Sequence, residues 1–92
     1  MKYYLIGDIG VWKNIKKLRK EAGMTQESVI AKLQLMGLNT SRSTIGMIET
    51  GRRNVPVSML VGLKIIFNCD YADFFEGLEE KLAAGIIDDA TG

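Results

Sequence analysis

The stretch from Met24 to Gly51 constrains the fold more than any other part of the chain, because its pattern predicts two helices separated by a bend. Thr25 is a suitable N-cap for the first helix, and Gly37 ends it by taking a left-handed backbone. Ser41 caps a second, shorter helix. Apolar residues at helical spacing should face the core: Val29, Leu33, Met36, Ile45 and Ile48. The outer side of the shorter helix keeps four residues: Arg42, Ser43, Gly46 and Met47.

The charge of the chain is divided between its two halves. Over 92 residues the net charge is only +1. Residues 1–56 carry ten Lys and Arg against four acidic residues, a net +6, whereas residues 57–92 carry two against seven, a net −5. A basic half suits a polyanionic partner on one face, although a chance split would give the same counts. The helix that begins at Ser41 is short, is held by its neighbours and carries polar residues in its first turn. This is the geometry of a helix that enters the major groove of DNA.

Further helices are predicted on either side of this stretch. Helix 1 should run from about Val11 to Ala22. One side of it carries four lysines, which form either an ordinary solvated face or a phosphate-facing one: Lys13, Lys16, Lys17 and Lys20. Helix 4, about Val57 to Phe67, is apolar nearly all round, so it is either central or covered by a partner on a second face. Helix 5 should follow Asp70 and end at Gly85, with one apolar stripe: Tyr71, Phe74, Phe75, Leu78 and Leu82.

The composition argues against most classes of enzyme and of metal protein. Histidine is absent, which removes the commonest metal ligand and the base of a His-dependent triad. Cys69 is the single cysteine, so no internal disulfide can form, and we expect a small buried apolar group there. No apolar run approaches the roughly 20 residues that span a bilayer, and the segment after Lys2 is too short for a signal peptide. We therefore expect a cytoplasmic protein that is no enzyme and uses no cofactor.

Two runs of sequence carry a resemblance to a known family. The runs LRKEAGMTQESVIAKL and SRSTIGMIETGRR resemble the helix-turn-helix family of phage Cro and CI repressors and their bacterial relatives, over about residues 11–80. The most specific matches are the start Gly23-x-Thr25-Gln26-Glu27 and the core from Ser41 to Gly51. The resemblance implies an all-α fold, a compact bundle of about five helices that binds operator DNA, usually as a dimer. From the pattern along the chain we expect an N-terminal arm or short extended segment (1–10), the helix-turn-helix domain (11–84) and a flexible tail (85–92).

The resemblance also implies roles for individual residues. Three residues on the second helix would face base edges: Arg42, Ser43 and Met47. Gln26, Ser41, Arg52 and Arg53 would contact the DNA backbone, and we expect the same of Thr44 and Lys17. Arg19 and Glu49 would form an internal ion pair that joins helix 1 to helix 3. Arg42 is the best candidate for base reading, since a guanidinium can bind guanine O6 and N7 together; the alternative is a surface or phosphate contact.

The sequence departs from the common family pattern in two places. The segment from Leu33 to Thr40 is about five residues longer, which we interpret as an extra turn on helix 2 and a longer bend that could retilt helix 3. Gly46 and Met47 stand where polar or basic residues are frequent, so Met47 offers only apolar contact, for example to a thymine methyl.

The sequence predicts a repressor-like transcriptional regulator that binds double-stranded DNA. A homodimer through helices 4 and 5 is expected, and no small-molecule effector is evident. The alternative is a protein-interaction module, such as an antitoxin-like partner-binding domain, which Gly46 and Met47 favour.

Overall fold

The structure is a computed structural model that describes residues 10–83. Within that range it contains helices and no strand, so the predicted all-α bundle is confirmed. The arm predicted for residues 1–10 lies outside the described residues except for Gly10, and the tail predicted for 85–92 lies outside them entirely. The helices are α1 (Val11–Glu21), α2 (Gln26–Leu35), α3 (Arg42–Ile48), α4 (Val57–Phe67) and α5 (Tyr71–Phe74), and residues 78–83 are also helical.

The N-termini of α2 and α3 are fixed by the hydroxyl side chains that the sequence indicates. Thr25 Oγ1 accepts a hydrogen bond from the Ser28 amide at 3.1 Å. Ser41 Oγ accepts one from the Thr44 amide at 3.2 Å. Each bond satisfies a backbone donor that has no partner within its own helix, so both helices begin where the sequence predicts.

The core lies where α1, α2, α3, α4 and α5 meet. Helix α1 packs against α5, and α2 packs against both α3 and α4. The apolar side chains at the centre are Ile15, Val29, Leu33, Ile45, Ile48, Met59, Leu63, Phe67 and Phe74. Helix α2 contacts both α3 and α4. The side of α3 that carries Ile45 and Ile48 is buried, and its other side faces solvent.

The prediction of one continuous helix 5 is wrong. Helix α5 ends at Phe74, a turn follows, and the chain becomes helical again at residue 78. Gly77 takes φ +82°, a left-handed conformation that interrupts a helix. The break frees two carbonyl groups, and Asn14 of α1 binds both: its Nδ2 donates to Phe74 O at 2.8 Å and to Glu76 O at 3.1 Å. A tertiary partner therefore replaces hydrogen bonds that a continuous helix would have made.

The broken helix also changes which apolar residues are buried. Phe74 is fully buried, as predicted, but Tyr71 and Phe75 are 44% and 45% exposed and do not belong to the core. Met36, expected to face inward, is 43% exposed because α2 ends at Leu35 and Met36 already lies beyond its last turn.

Helix α4 is buried on one side and exposed on the other. One side is buried in the core through Met59, Leu63 and Phe67. The other side exposes an apolar row at i, i+4 and i+8 spacing: Val57, Val61 and Ile65. No helix within residues 10–83 is long and apolar enough to cross a membrane.

Candidate nucleic-acid interface

The first turn of α3 is open to solvent. Arg42 and Ser43 are exposed there, and the Oγ of Ser41 lies 3.2 Å from Thr44 Oγ1. Met47, one turn further along, is partly buried and therefore presents less surface than Arg42. A Cβ added at Gly46 would meet no atom within 4 Å, so this position is open on its outer side.

A buried carboxylate holds α3 against α1. Glu49, only 3% exposed, is the C-cap of α3. Arg19 Nε donates to Glu49 Oε2 at 2.7 Å and Arg19 Nη2 donates to Glu49 Oε1 at 3.0 Å, a bidentate pair. Arg19 Nη1 also donates to Met24 O at 2.8 Å, which fixes the connection between α1 and α2. Charge-assisted bonds of this geometry are among the strongest that a protein makes.

Gln26, predicted to contact phosphate, belongs to the same network. Its Nε2 donates to Glu49 Oε1 at 3.0 Å. Glu49 thereby joins α1 through Arg19, α2 through Gln26 and α3 through its own backbone. The hydrogen bond fixes the side-chain position of Gln26 at the N-terminus of α2, where helix geometry and the helix dipole favour an anion.

Arg42, the predicted base reader, forms an ion pair that the sequence did not reveal. Its Nη1 lies 2.7 Å from Glu27 Oε2, and the two side chains are 73% and 59% exposed. Glu27 lies in the first turn of α2 and Arg42 in the first turn of α3. No sequence pattern links two residues on different helices, so only the packing of α2 against α3 brings them together.

The predicted phosphate contacts outside α2 and α3 lie on α1 and in the segment just after α3. Arg52 and Arg53 are exposed just after it, and the Arg52 amide donates to Met47 O at 2.8 Å, which fixes the start of this basic segment. Lys17 of α1 is exposed, and its Nζ lies 3.7 Å from Glu76 Oε1. That contact directs the Lys17 ammonium toward the acidic C-terminal half of the described chain.

Trp12 supports the end of α3. Gly51 takes φ +78° after the helix, and a Cβ built on it would lie 2.8 Å from Trp12 Nε1. The indole therefore occupies the space that any other residue at position 51 would need. The ammonium of Lys13 lies 5.4 Å from the centre of the Trp12 ring, within the range of a cation–π contact.

The described residues provide no evident metal site or activated thiol. No group of three or more His, Cys, Asp or Glu within residues 10–83 could hold a metal ion. Cys69, expected to be buried, is partly buried. Burial raises the pKa of its thiol, and the carboxylates of Asp73 and Asp70 raise it further, so the thiol stays protonated at neutral pH.

Comparison with known proteins agrees with this geometry. The family model described as Helix-turn-helix matches residues 15–74, well over half of the chain. The chain belongs to the XRE-type helix-turn-helix family. Membership in this family assigns it to the DNA-binding transcriptional regulators. No curated protein matches the chain significantly.

A protein of known structure shares the fold. The chain is similar to the restriction-modification controller protein C.AhdI from Aeromonas hydrophila, with 25% sequence identity and a TM-score of 0.60. The match covers 73% of this chain and 94% of the controller protein, so nearly all of that protein has a counterpart here.

Proposed function

We propose that this helix-turn-helix protein is a sequence-specific, repressor-like regulator that acts in the cytoplasm and has no catalytic role. Helix α3 would enter the major groove of double-stranded DNA, with its first turn facing the bases. The observation that carries the proposal is the placement of Arg42 and Ser43. They are exposed at the N-terminus of α3, while Glu49 at the other end of the same helix is fixed by Arg19. The C.AhdI match, a controller of a restriction-modification system, supports a regulatory role.

We propose that bases and phosphates are contacted by different residues. Base edges would be met by Arg42, Ser43 and Met47, with Arg42 supplying most of the discrimination because a guanidinium can bind guanine O6 and N7 together. Phosphates would be met on both sides of α3 by Gln26, Ser41, Thr44, Lys17, Arg52 and Arg53. Lys17 would exchange its contact with Glu76 for phosphate, which is a small change because both side chains are more than half exposed.

The exposed apolar row on α4 supports a homodimer. Val57 and Ile65 are 78% and 60% exposed on a helix whose opposite side is part of the core. Tyr71 and Phe75 add exposed aromatic surface in and just after α5. To bind two half-sites one turn of DNA apart, a two-fold dimer formed through this surface would need its two α3 helices about 34–36 Å apart.

Replacing Arg42 by alanine is expected to weaken operator binding about 5- to 150-fold, which corresponds to roughly 1–3 kcal/mol of lost base discrimination. Binding to random duplex should weaken much less. The operator is first obtained by selection from random oligonucleotides, and dissociation constants are then measured on both duplexes at one salt concentration. Arg53→Ala is the matched control, because it removes the same charge from a position expected at phosphate. Equal losses on both duplexes for Arg42→Ala would refute base reading by this residue.

A salt titration separates this function from the alternative of a protein-interaction module, which the partly buried Met47 and the open Gly46 favour. A protein that neutralises several phosphates should show log affinity falling with log salt concentration, with a slope near −0.9 per phosphate. The three cations proposed at phosphate, Lys17, Arg52 and Arg53, give an expected slope of about −2.7 per protomer, or about −5 for a dimer. Failure to bind any duplex at low salt would favour the protein-interaction module instead.

A further inference from the structure

The ion pair between Glu27 and Arg42 places a negative charge inside the proposed DNA-binding surface. Its Nη1 to Oε2 distance is 2.7 Å, and both side chains are more than half exposed. An ion pair with this exposure contributes little to the stability of a fold, because water screens it. The ion pair nevertheless lies at the first turns of α2 and α3, which is where DNA would approach in the proposed function. A structural role therefore explains the contact poorly.

The guanidinium of Arg42 can bind a second acceptor without releasing Glu27. The contact with Glu27 uses Nη1. A guanidinium has five N–H donors in a planar fork, so its Nε–Nη2 edge can still donate two parallel hydrogen bonds. Guanine presents two acceptors at the matching separation, O6 and N7. A carboxylate, a guanidinium and a guanine can thus be bound in one plane.

Phosphate is a much poorer second partner for the same guanidinium. It carries a full negative charge, and bringing that charge next to the Glu27 carboxylate adds a repulsion that uncharged guanine does not cause. The repulsion increases as DNA displaces water from the interface, because the effective dielectric constant falls. Glu27 therefore opposes the use of Arg42 as a general phosphate contact and leaves its use as a guanine contact intact.

We infer that Glu27 is a specificity-determining residue: it orients Arg42 for guanine and lowers affinity for DNA that lacks the correct base. The inference rests on the proposed function. It assigns to Glu27, which contacts Arg42 from the first turn of α2, control over what Arg42 recognises.

The test compares Glu27→Ala and Glu27→Gln with the wild-type protein on the selected operator and on random duplex. We expect both variants to bind random duplex about threefold to tenfold more tightly, while operator binding stays equal or weakens. The ratio of operator affinity to random-duplex affinity should therefore fall about threefold to tenfold, and further if operator binding also weakens. Glu79→Ala, which removes an exposed acid outside the proposed interface, is the control for net charge and should leave the ratio unchanged.

A second arm of the experiment repeats Glu27→Ala in an Arg42→Ala background. If Glu27 acts through Arg42, the substitution there should leave the affinity ratio unchanged. An equal fall of the ratio in both backgrounds would overturn the inference, as would an unchanged ratio for the single variants. If the wild type binds operator selectively and the ratio is unaffected, only the inference fails; if the wild type binds no duplex at all, the proposed function fails first.

Discussion

Replacement of Arg19 by alanine should lower the free energy of unfolding by about 3–5 kcal/mol, a large part of the total for a domain of this size. The variant would leave the Glu49 carboxylate, 3% exposed, without its bidentate cation. It would also remove the bond from Arg19 Nη1 to Met24 O. Urea unfolding followed by circular dichroism and by fluorescence of Trp12, the single tryptophan, would measure the loss.

Two further variants make this prediction specific. Arg52→Ala removes an exposed arginine close to the same helix and should change stability by less than about 0.5 kcal/mol. Arg19→Met combined with Glu49→Leu removes both charges and should recover much of the loss, since an apolar pair often replaces a buried ion pair at little cost. A loss below about 1 kcal/mol for Arg19→Ala would show that solvent already screens the pair.

Gly51→Ala should be the most damaging of the glycine substitutions, with an expected loss of about 2–5 kcal/mol. Part of the cost is the left-handed backbone at φ +78°, which disfavours any side chain. The rest arises because the new methyl group would lie 2.8 Å from Trp12 Nε1, so the indole must move. Chemical unfolding at constant pH measures the loss, with circular dichroism as the signal because Trp12 itself is perturbed.

Gly37→Ala is the matched control for this second substitution. Gly37 has φ +86° and a Cβ there would meet nothing within 4 Å, so the variant should show the backbone cost alone, about 1–2 kcal/mol. In a Trp12→Ala background, Gly51→Ala should lose its extra cost and match Gly37→Ala. Identical losses for the two glycine variants in the wild-type background would contradict the contact between Trp12 and position 51.

The parts of the fold that depend on neighbouring residues were predictable from the sequence. The starts of α2 and α3 follow from the hydroxyls of Thr25 and Ser41, which bond to amides three residues ahead. The bounds of α4 follow from Pro56 before it and from its continuous apolar composition. In each case the residues that determine where a helix begins or ends lie within one or two turns of that point.

The errors arose where distant residues decide the structure. The apolar spacing after Asp70 is compatible with one long helix, and the break at Gly77 is stabilised by Asn14, some 60 residues earlier in the chain. The contacts of Gln26 with Glu49 and of Glu27 with Arg42 likewise depend on how α2 crosses α3. Side-chain chemistry alone could not assign these two pairs of partners.

The carboxylate shared by three helices has an evolutionary consequence. Glu49 is bound by Arg19, which maintains the fold, and by Gln26, which is proposed to meet DNA. A substitution at any of these three positions would therefore change both the fraction of folded protein and the recognition of the operator. New target sequences are more easily acquired at the first turn of α3, where a substitution changes what is read and leaves the scaffold untouched.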